Sequence, residues 1–396
     1  MRRVRIEERP DWREIVSAQG LVYCETRHPD GSLRPYWEES AYYAFADDEI
    51  HELERVTAEL FEMCVAAGDH IVDNGLYRRL GIPEGAVERI AETWHSEPPS
   101  VLGRFDLRYD GHGPAKLLEF NADTPTALVE SAVVQWNWLE DRFPGRDQWN
   151  EIHERLILAW QRQLPEGSLI HFAHTTAEAS GEDLMNVAYV QDTAAQAGHP
   201  TRSLAVEQIG WNPLLGFVDT ADHHIERIFK LYPWEWMVTE PFAKHCLDWM
   251  GEGVNQTVWI EPIYKMLWSN KGVLPVLWEL FPGHPNLLGT HFDSPCHLPE
   301  YVRKPLLSRE GENIEIFAPD HGVRLETGGD YGAEGFVYQE FAPVPACDGS
   351  NHPVVGAWVV DGEPAGMGIR ESDGLITDNL SRFVPHLIED GAAGNR

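Results

Sequence analysis

The residues best suited to chemistry lie in two short stretches, Arg104-Phe-Asp106-Leu-Arg108 and Glu119-Phe-Asn121-Ala-Asp123. In each, polar and apolar side chains alternate with a period of two, the pattern of a β-strand with one polar and one buried face. Asp110-Gly111-His112-Gly113-Pro114 between them is dense in turn residues and predicts a hairpin. Phe105, Leu107 and Tyr109 then share one face, as do Leu118 and Phe120 on the partner strand, and Arg104, Asp106, Glu119 and Asn121 occupy the other. Three oxygen donors beside a guanidinium suit a hard cation, because Mg²⁺ takes carboxylate and carbonyl oxygens and keeps waters for substrate phosphates. An exposed hairpin with a merely solvated polar face carries the same pattern. The hairpin alone does not choose between the two.

The elements around it belong to a folded chain of 396 residues, 43% hydrophobic and with 15 tryptophans, enough for a large core and two or three packed lobes. The net charge of −33, from 31 Lys+Arg against 64 Asp+Glu, argues against nucleic acid or an anionic membrane as partner. It suits a cationic substrate such as a polyamine, and equally an acidic solvated surface. Five scattered cysteines without a CxxC pair fit a reducing compartment without structural zinc or disulfides. Neither a secretory leader nor a membrane-length apolar run is present, so the expectation is a soluble cytoplasmic protein.

Along the chain, residues 45–97 read as helical, with Leu53, Val56, Leu60 and Val65 at helical spacing. The hairpin follows, then helices over Thr126–Trp138 and Trp149–Leu164. From Ser168 the pattern changes to strand, helix, strand: 169–172, 182–198, 200–206, 216–219 and 225–230, which predicts a small doubly wound α/β lobe. Further strands are expected at Phe336–Phe341 and Val354–Val360. GxGxxG, GxxxxGK[ST] and GxSxG are all missing, which removes the dinucleotide fold, the P-loop and the nucleophile elbow.

The C-terminal third carries more: Glu261-Pro-Ile-Tyr-Lys265-Met-Leu-Trp-Ser269-Asn-Lys271, Val302-Arg-Lys304-Pro-Leu-Leu-Ser-Arg-Glu310-Gly311, Tyr338-Gln-Glu-Phe341, Gly368-Ile-Arg370-Glu-Ser372 and Leu375-Ile-Thr377-Asp-Asn-Leu-Ser-Arg-Phe-Val-Pro-His386. With the hairpin and Asn121-Ala-Asp-Thr-Pro-Thr126, these motifs resemble the synthetase domain of the glutathionylspermidine synthase family from about Tyr36 to His386. The resemblance implies a mixed α/β (α+β), circularly permuted ATP-grasp fold with an inserted small α/β lobe and an antiparallel sheet carrying the metal site. The whole chain is then one synthetase unit, divided at 36–165 (helices and metal hairpin), 166–260 (substrate lobe) and 261–386 (nucleotide lobe).

The resemblance also implies an ATP- and Mg²⁺-dependent ligase that joins a peptide- or glutathione-like acid to a polyamine-like amine through an acyl phosphate. Asp106, Glu119 and Asn121 become metal ligands, and Arg104 and Arg370 stabilise the transferred phosphoryl group. Lys265 and Lys304 grip nucleotide phosphates; Arg104, Phe105 and Asp106, Glu310 and Gly311, Gln339, Glu340, Phe341 and Ala342, and Leu375, Ile376 and Thr377 complete the ATP site. Thr124 and Thr126 fall to the acid, though they also suit a helix cap, and Glu182 and Asp183 fall to the amine. Glycines around Arg370 suggest a mobile loop, with Arg104 fixed on the opposite side of the phosphoryl group. Thr124-Pro-Thr-Ala127 resembles the amidase-less, single-domain branch. Two other readings compete: a non-catalytic ATP-grasp-like nucleotide-binding protein, and a metal-dependent hydrolase built on His223, His224, His291 and Asp293.

Overall fold

The computed structural model describes residues 1–178 and 180–389 and is a mixed α/β structure with several sheets. The hairpin forms as expected, from strands Leu102–Arg108 and Lys116–Asn121. Its turn is held by the Asp110 carboxylate, which accepts the amides of His112 (2.9 Å) and Gly113 (3.2 Å). These strands do not stand alone. They form one side of a five-stranded antiparallel sheet whose other strands, His352–Val360, Glu363–Ser372 and Arg382–Val384, come from the far end of the chain.

Apolar packing fixes which face of the hairpin is buried. Phe105 stacks on Phe120 with centroids 4.0 Å apart, and Phe120 leans on Trp268 at 5.8 Å. The Trp268 indole N–H donates to the Cys64 carbonyl at 2.8 Å, tying the sheet to the long helix Asp47–Asn74, which buries Leu53, Val56 and Leu60. Each large side chain removed from water contributes roughly 1.5–3 kcal/mol. One expectation fails here. The register slips between Asp106, opposite Glu119, and Leu107, opposite Leu117. This bulge sends Leu117 into the core and turns Leu118 toward the cavity, the reverse of the simple alternation.

Residues 170–260 contain a four-stranded parallel sheet, ordered Val258–Ile260, Arg227–Leu231, Ile170–His174, Thr201–Ala205. Phe172 and Ala173 belong to separate core clusters on its two faces, as a parallel sheet covered on both sides requires. Helices Ile152–Gln163 and Glu182–Gln196 cover it from the Phe172 side. The segment read as one helix from Thr126 contains a π-helical turn at Glu130–Val134 and runs on to Arg142. A second antiparallel five-stranded sheet holds Tyr301–Pro305 between Phe336–Glu340 and Glu315–Ala318.

The first residues are also part of the body. Strand Arg2–Arg5 pairs with Ala41–Phe45, and Arg3 reaches the fully buried Glu371 at 2.7 Å. Among the described residues, no helix is long and apolar enough to cross a membrane.

Candidate active site

The polar face of the hairpin opens onto a cavity of about 580 Å³. Asp106 lies on its wall. Its carboxylate takes Arg104 Nε on Oδ1 (2.8 Å) and Arg370 Nη2 on Oδ2 (2.7 Å), so one carboxylate holds two guanidinium groups. Arg104 also donates through Nη1 to the Thr126 carbonyl. The register puts Gly356 directly across from Asp106, and a Cβ there would come within 2.9 Å of Arg104 Cδ. Only glycine leaves that side chain room to lie across the sheet.

Arg370 sits on the strand Glu363–Ser372 and not on a mobile loop. It reaches Asp106 on the same sheet face as Arg104, the two guanidinium groups taking different oxygens of the one carboxylate. Its ion pair is with Asp106. The adjacent Glu371 instead receives Arg3, Tyr43 and Arg382.

Next to Asp106, Glu119 receives Lys271 Nζ at 3.2 Å, and Asn121 Nδ2 lies 3.4 Å from its other oxygen. Burial pushes the Glu119 carboxyl up, but Lys271, Lys304 and Arg370 outweigh it and hold it at about 2. Lys304 donates to Gln339 Oε1 (2.7 Å) and to the Leu118 carbonyl (3.0 Å) exposed by the bulge. Burial, opposed by Glu119 and reinforced by Lys271, brings the Lys304 ammonium down to about 8. Two carboxylates and an amide oxygen on one face fit a hard divalent cation that keeps positions for substrate oxygens. Among the described residues, no three His, Cys, Asp or Glu side chains converge as a ready-made metal cage.

Most of the expected residues line this one cavity. Glu310 and Gly311 approach from the loop after Tyr301–Pro305, Gln339 through Ala342 from the end of Phe336–Glu340, and Leu375, Ile376 and Thr377 from beyond Arg370. Thr124, Thr126, Glu182 and Asp183 line it too. Glu182 is pushed up by burial, despite its contact with the Thr126 hydroxyl. Asp183 is raised to about 7 by burial and by the neighbouring Glu182 and Glu178.

Two expectations fall outside it. Phe105 is fully buried in the core beneath the sheet. Lys265 faces away from the cavity: it pairs with Glu261 at 3.0 Å and donates to the carbonyls of Leu102 (2.8 Å) and Ala122 (3.1 Å). Glu261 in turn accepts the amides of Val101 and Leu102, each at 2.8 Å, so this pair anchors the root of the hairpin. Lys271 takes the place in the cavity. The hydrolase constellation does not assemble: His223 lies beside Asp219 and Arg202, whereas His291 belongs to the strand Thr290–Phe292 of another sheet.

Three joints around the cavity carry no signal in the sequence. Arg309 bridges Thr124 Oγ1 (2.9 Å) and Glu235 Oε1 (3.2 Å) across the cavity mouth. Buried Asp123 joins Lys230 Nζ (2.6 Å) to the amide of Trp234 (2.8 Å). Asn186 accepts the Leu128 amide at 3.0 Å and ties the Thr124–Thr126 loop to the helix bearing Glu182.

A model of the family described as glutathionylspermidine synthase preATP-grasp matches residues 3–389, extending the resemblance through the N-terminal strand. The putative acid–amine ligase of Haemophilus influenzae is 40% identical over 392 residues, covering 96% of this chain and 97% of that protein. Trypanothione synthetase of Crithidia fasciculata is 24% identical over 96% of this chain and 61% of its own length. The bifunctional glutathionylspermidine synthetase/amidase of Escherichia coli is 25% identical over 88% of this chain and 59% of its own. The chain therefore spans less than two thirds of these last two proteins. In fold it is similar to a glutathione synthetase-like effector of Globodera pallida, with TM-score 0.55 at 11% identity over 97% of this chain and 100% of that one.

Proposed function

The chain belongs to the glutathionylspermidine synthase family, a family of ligases that form carbon–nitrogen bonds, and from that premise we propose that it is an ATP-dependent acid–amine ligase. We read its fold as a circularly permuted ATP-grasp in which the metal hairpin precedes the nucleotide-binding lysines. The units are 36–165 for the hairpin, 166–260 for the substrate lobe and 261–386 for the nucleotide lobe. The reading rests most on one observation: Asp106, Glu119, Arg104, Arg370, Lys271 and Lys304 face a single cavity.

Phosphoryl transfer to a carboxylate needs positioning and charge neutralisation more than a nucleophilic side chain. That is the residue set present. In this reading Asp106, Glu119 and Asn121 would hold Mg²⁺, which would supply Lewis-acid neutralisation of phosphate charge. Lys271 and Lys304 then turn from Glu119 and Gln339 to the phosphates. Arg104 and Arg370, fixed on rigid strands by Asp106, neutralise the phosphoryl group as it moves to the acid's carboxylate. The resulting acyl phosphate is attacked by the amine, and phosphate leaves. Gln339–Ala342 and Leu375–Thr377 flank the nucleotide, Thr124 and Thr126 face the acid, and Glu182 and Asp183 the cationic amine.

A screen of peptides with free C-termini against polyamines, with Mg²⁺ and ATP, tests this. ADP formation that requires both an acid and an amine, with a condensed product by mass, is the expected result. ADP formed without either substrate, or none with any pair, contradicts it.

A further inference from the structure

The second antiparallel sheet ends on the strand Val323–Glu326, which pairs with Glu315–Ala318 on one side and, among the described residues, with no strand on the other. The Thr327 amide donates to the Ile314 carbonyl at 2.9 Å, so the same ladder turns the backbone groups of Leu325 and Val323 inward. Those of Arg324 and Glu326 face out, because successive residues of an antiparallel strand bond to opposite sides. Arg324, Leu325 and Glu326 are all exposed, Leu325 at 40%. Such an open row of donors and acceptors is a template for one more strand.

Charges on an edge ordinarily keep copies apart. Here they have opposite signs and stand two residues apart, and neither forms an ion pair among the described residues. Arg324 rests over the Phe317 ring at 6.0 Å, on the face where Phe317, Tyr301 and Tyr338 form a row of rings. Leu325 lies on the other face, beside Ile316.

A two-fold axis through Leu325 satisfies all of these groups together. Two antiparallel copies then set Arg324 of each against Glu326 of the other, and these are the residues whose free backbone groups exchange hydrogen bonds. Leu325 meets its own copy at the non-hydrogen-bonded position, where side chains come closest. Other registers lose this. A slip of one residue sets Arg324 against Leu325, and a slip of two sets arginine on arginine or glutamate on glutamate.

We propose that Val323–Glu326 is a self-association edge, through which two copies of this chain join their five-stranded sheets across a two-fold axis. The same patch serves both copies, so the contact closes at a dimer. With four residues a side, the dimer is weak and concentration-dependent. The proposal does not depend on the ligase reading.

Sedimentation velocity on the full chain, from about 1 μM to about 1 mM, tests it with two charge swaps. The parent should shift from monomer to dimer across this range. Arg324→Glu and Glu326→Arg should each weaken association at least about tenfold, since like charges then face each other. Carrying both swaps in one chain, or mixing the two single variants, should restore it. All the altered side chains are exposed, and unchanged melting temperatures confirm folding. Leu325→Cys, in a Cys296→Ser background, should oxidise to a disulfide-linked dimer much faster than His321→Cys, which the two-fold register keeps away from its own copy. A monomer throughout the range, association indifferent to the single swaps, no restoration by the pair, or equal oxidation of the two cysteine variants overturns the proposal.

Discussion

Lys265 and Lys271 lie six residues apart in one sequence motif, yet the structure gives them opposite work, and a pair of substitutions separates them. Lys271 lines the cavity with its ammonium 3.2 Å from Glu119. In the proposed cycle it exchanges that partner for nucleotide phosphate. Two unit charges 4 Å apart interact by about 4 kcal/mol at an effective dielectric of 20. If most of that is realised as phosphate charge builds up, Lys271→Met lowers kcat/KM for ATP by about 10²–10³-fold. The change also leaves Glu119 to Lys304 and Arg370, so the fold itself should lose little.

Lys265→Met does the converse. It strands Glu261, which is fully buried, with three neutral donors and without its direct ion-pair partner. Breaking a buried pair by removing one partner costs about 3–5 kcal/mol, and turnover per folded molecule should stay within a few-fold. The assay is ADP release, nucleotide affinity and urea denaturation on both variants. A stable Lys265→Met protein that has lost nucleotide binding, with a normal Lys271→Met enzyme, would refute the reassignment.

Three further outcomes follow from the same geometry. Asp106→Asn removes a charge from the proposed Mg²⁺ site and the shared partner of two arginines, so turnover should fall at least about 10³-fold; unchanged Mg²⁺-dependent ADP formation would contradict the proposed role. Arg370→Lys loses the planar fork that spans Asp106 and phosphate, so kcat should fall about 100-fold, with nucleotide affinity and melting temperature nearly unchanged; a destabilised enzyme with normal kcat would make Arg370 structural. Burial beside Glu182 and Glu178 raises Asp183 from 3.8 to about 7, so folding favours its protonated form. The stability this costs appears as pH rises from about 4 to 7 and is complete above 7. Asp183→Asn should match the parent below pH 4, be the more stable above pH 7, and have a higher KM for a polyamine; melting curves with no pH-dependent difference would contradict it.

How much of this was legible in the sequence depended on the signal each residue carried. The hairpin was readable because period-two alternation over five residues is what a one-sided strand requires, and its turn residues are unambiguous. Its bulge was not, because Leu117 and Leu118 are identical side chains, and the choice between them comes from the strands they meet. Lys265 does carry a local signal: Glu261 stands four residues before it, and the two charges pair at 3.0 Å. Arg370 was misread through its glycines. Gly368 is not a hinge: a Cβ there would lie 2.4 Å from Ser131 Oγ, so it is a close-packing site inside a strand. Arg309 and Asp123 gave no local sign, since their partners lie 74 and 107 residues away.

The central claim is that a carboxylate attacks the γ-phosphorus of ATP, and ³¹P NMR tests it most directly. The full chain is incubated with ATP, Mg²⁺, spermidine and free-C-terminal peptides labelled with ¹⁸O in the carboxylate. The expected products are ADP and inorganic phosphate, with the phosphate resonance showing the isotope shift of one transferred ¹⁸O. AMP with pyrophosphate, or phosphate carrying no label, would contradict it.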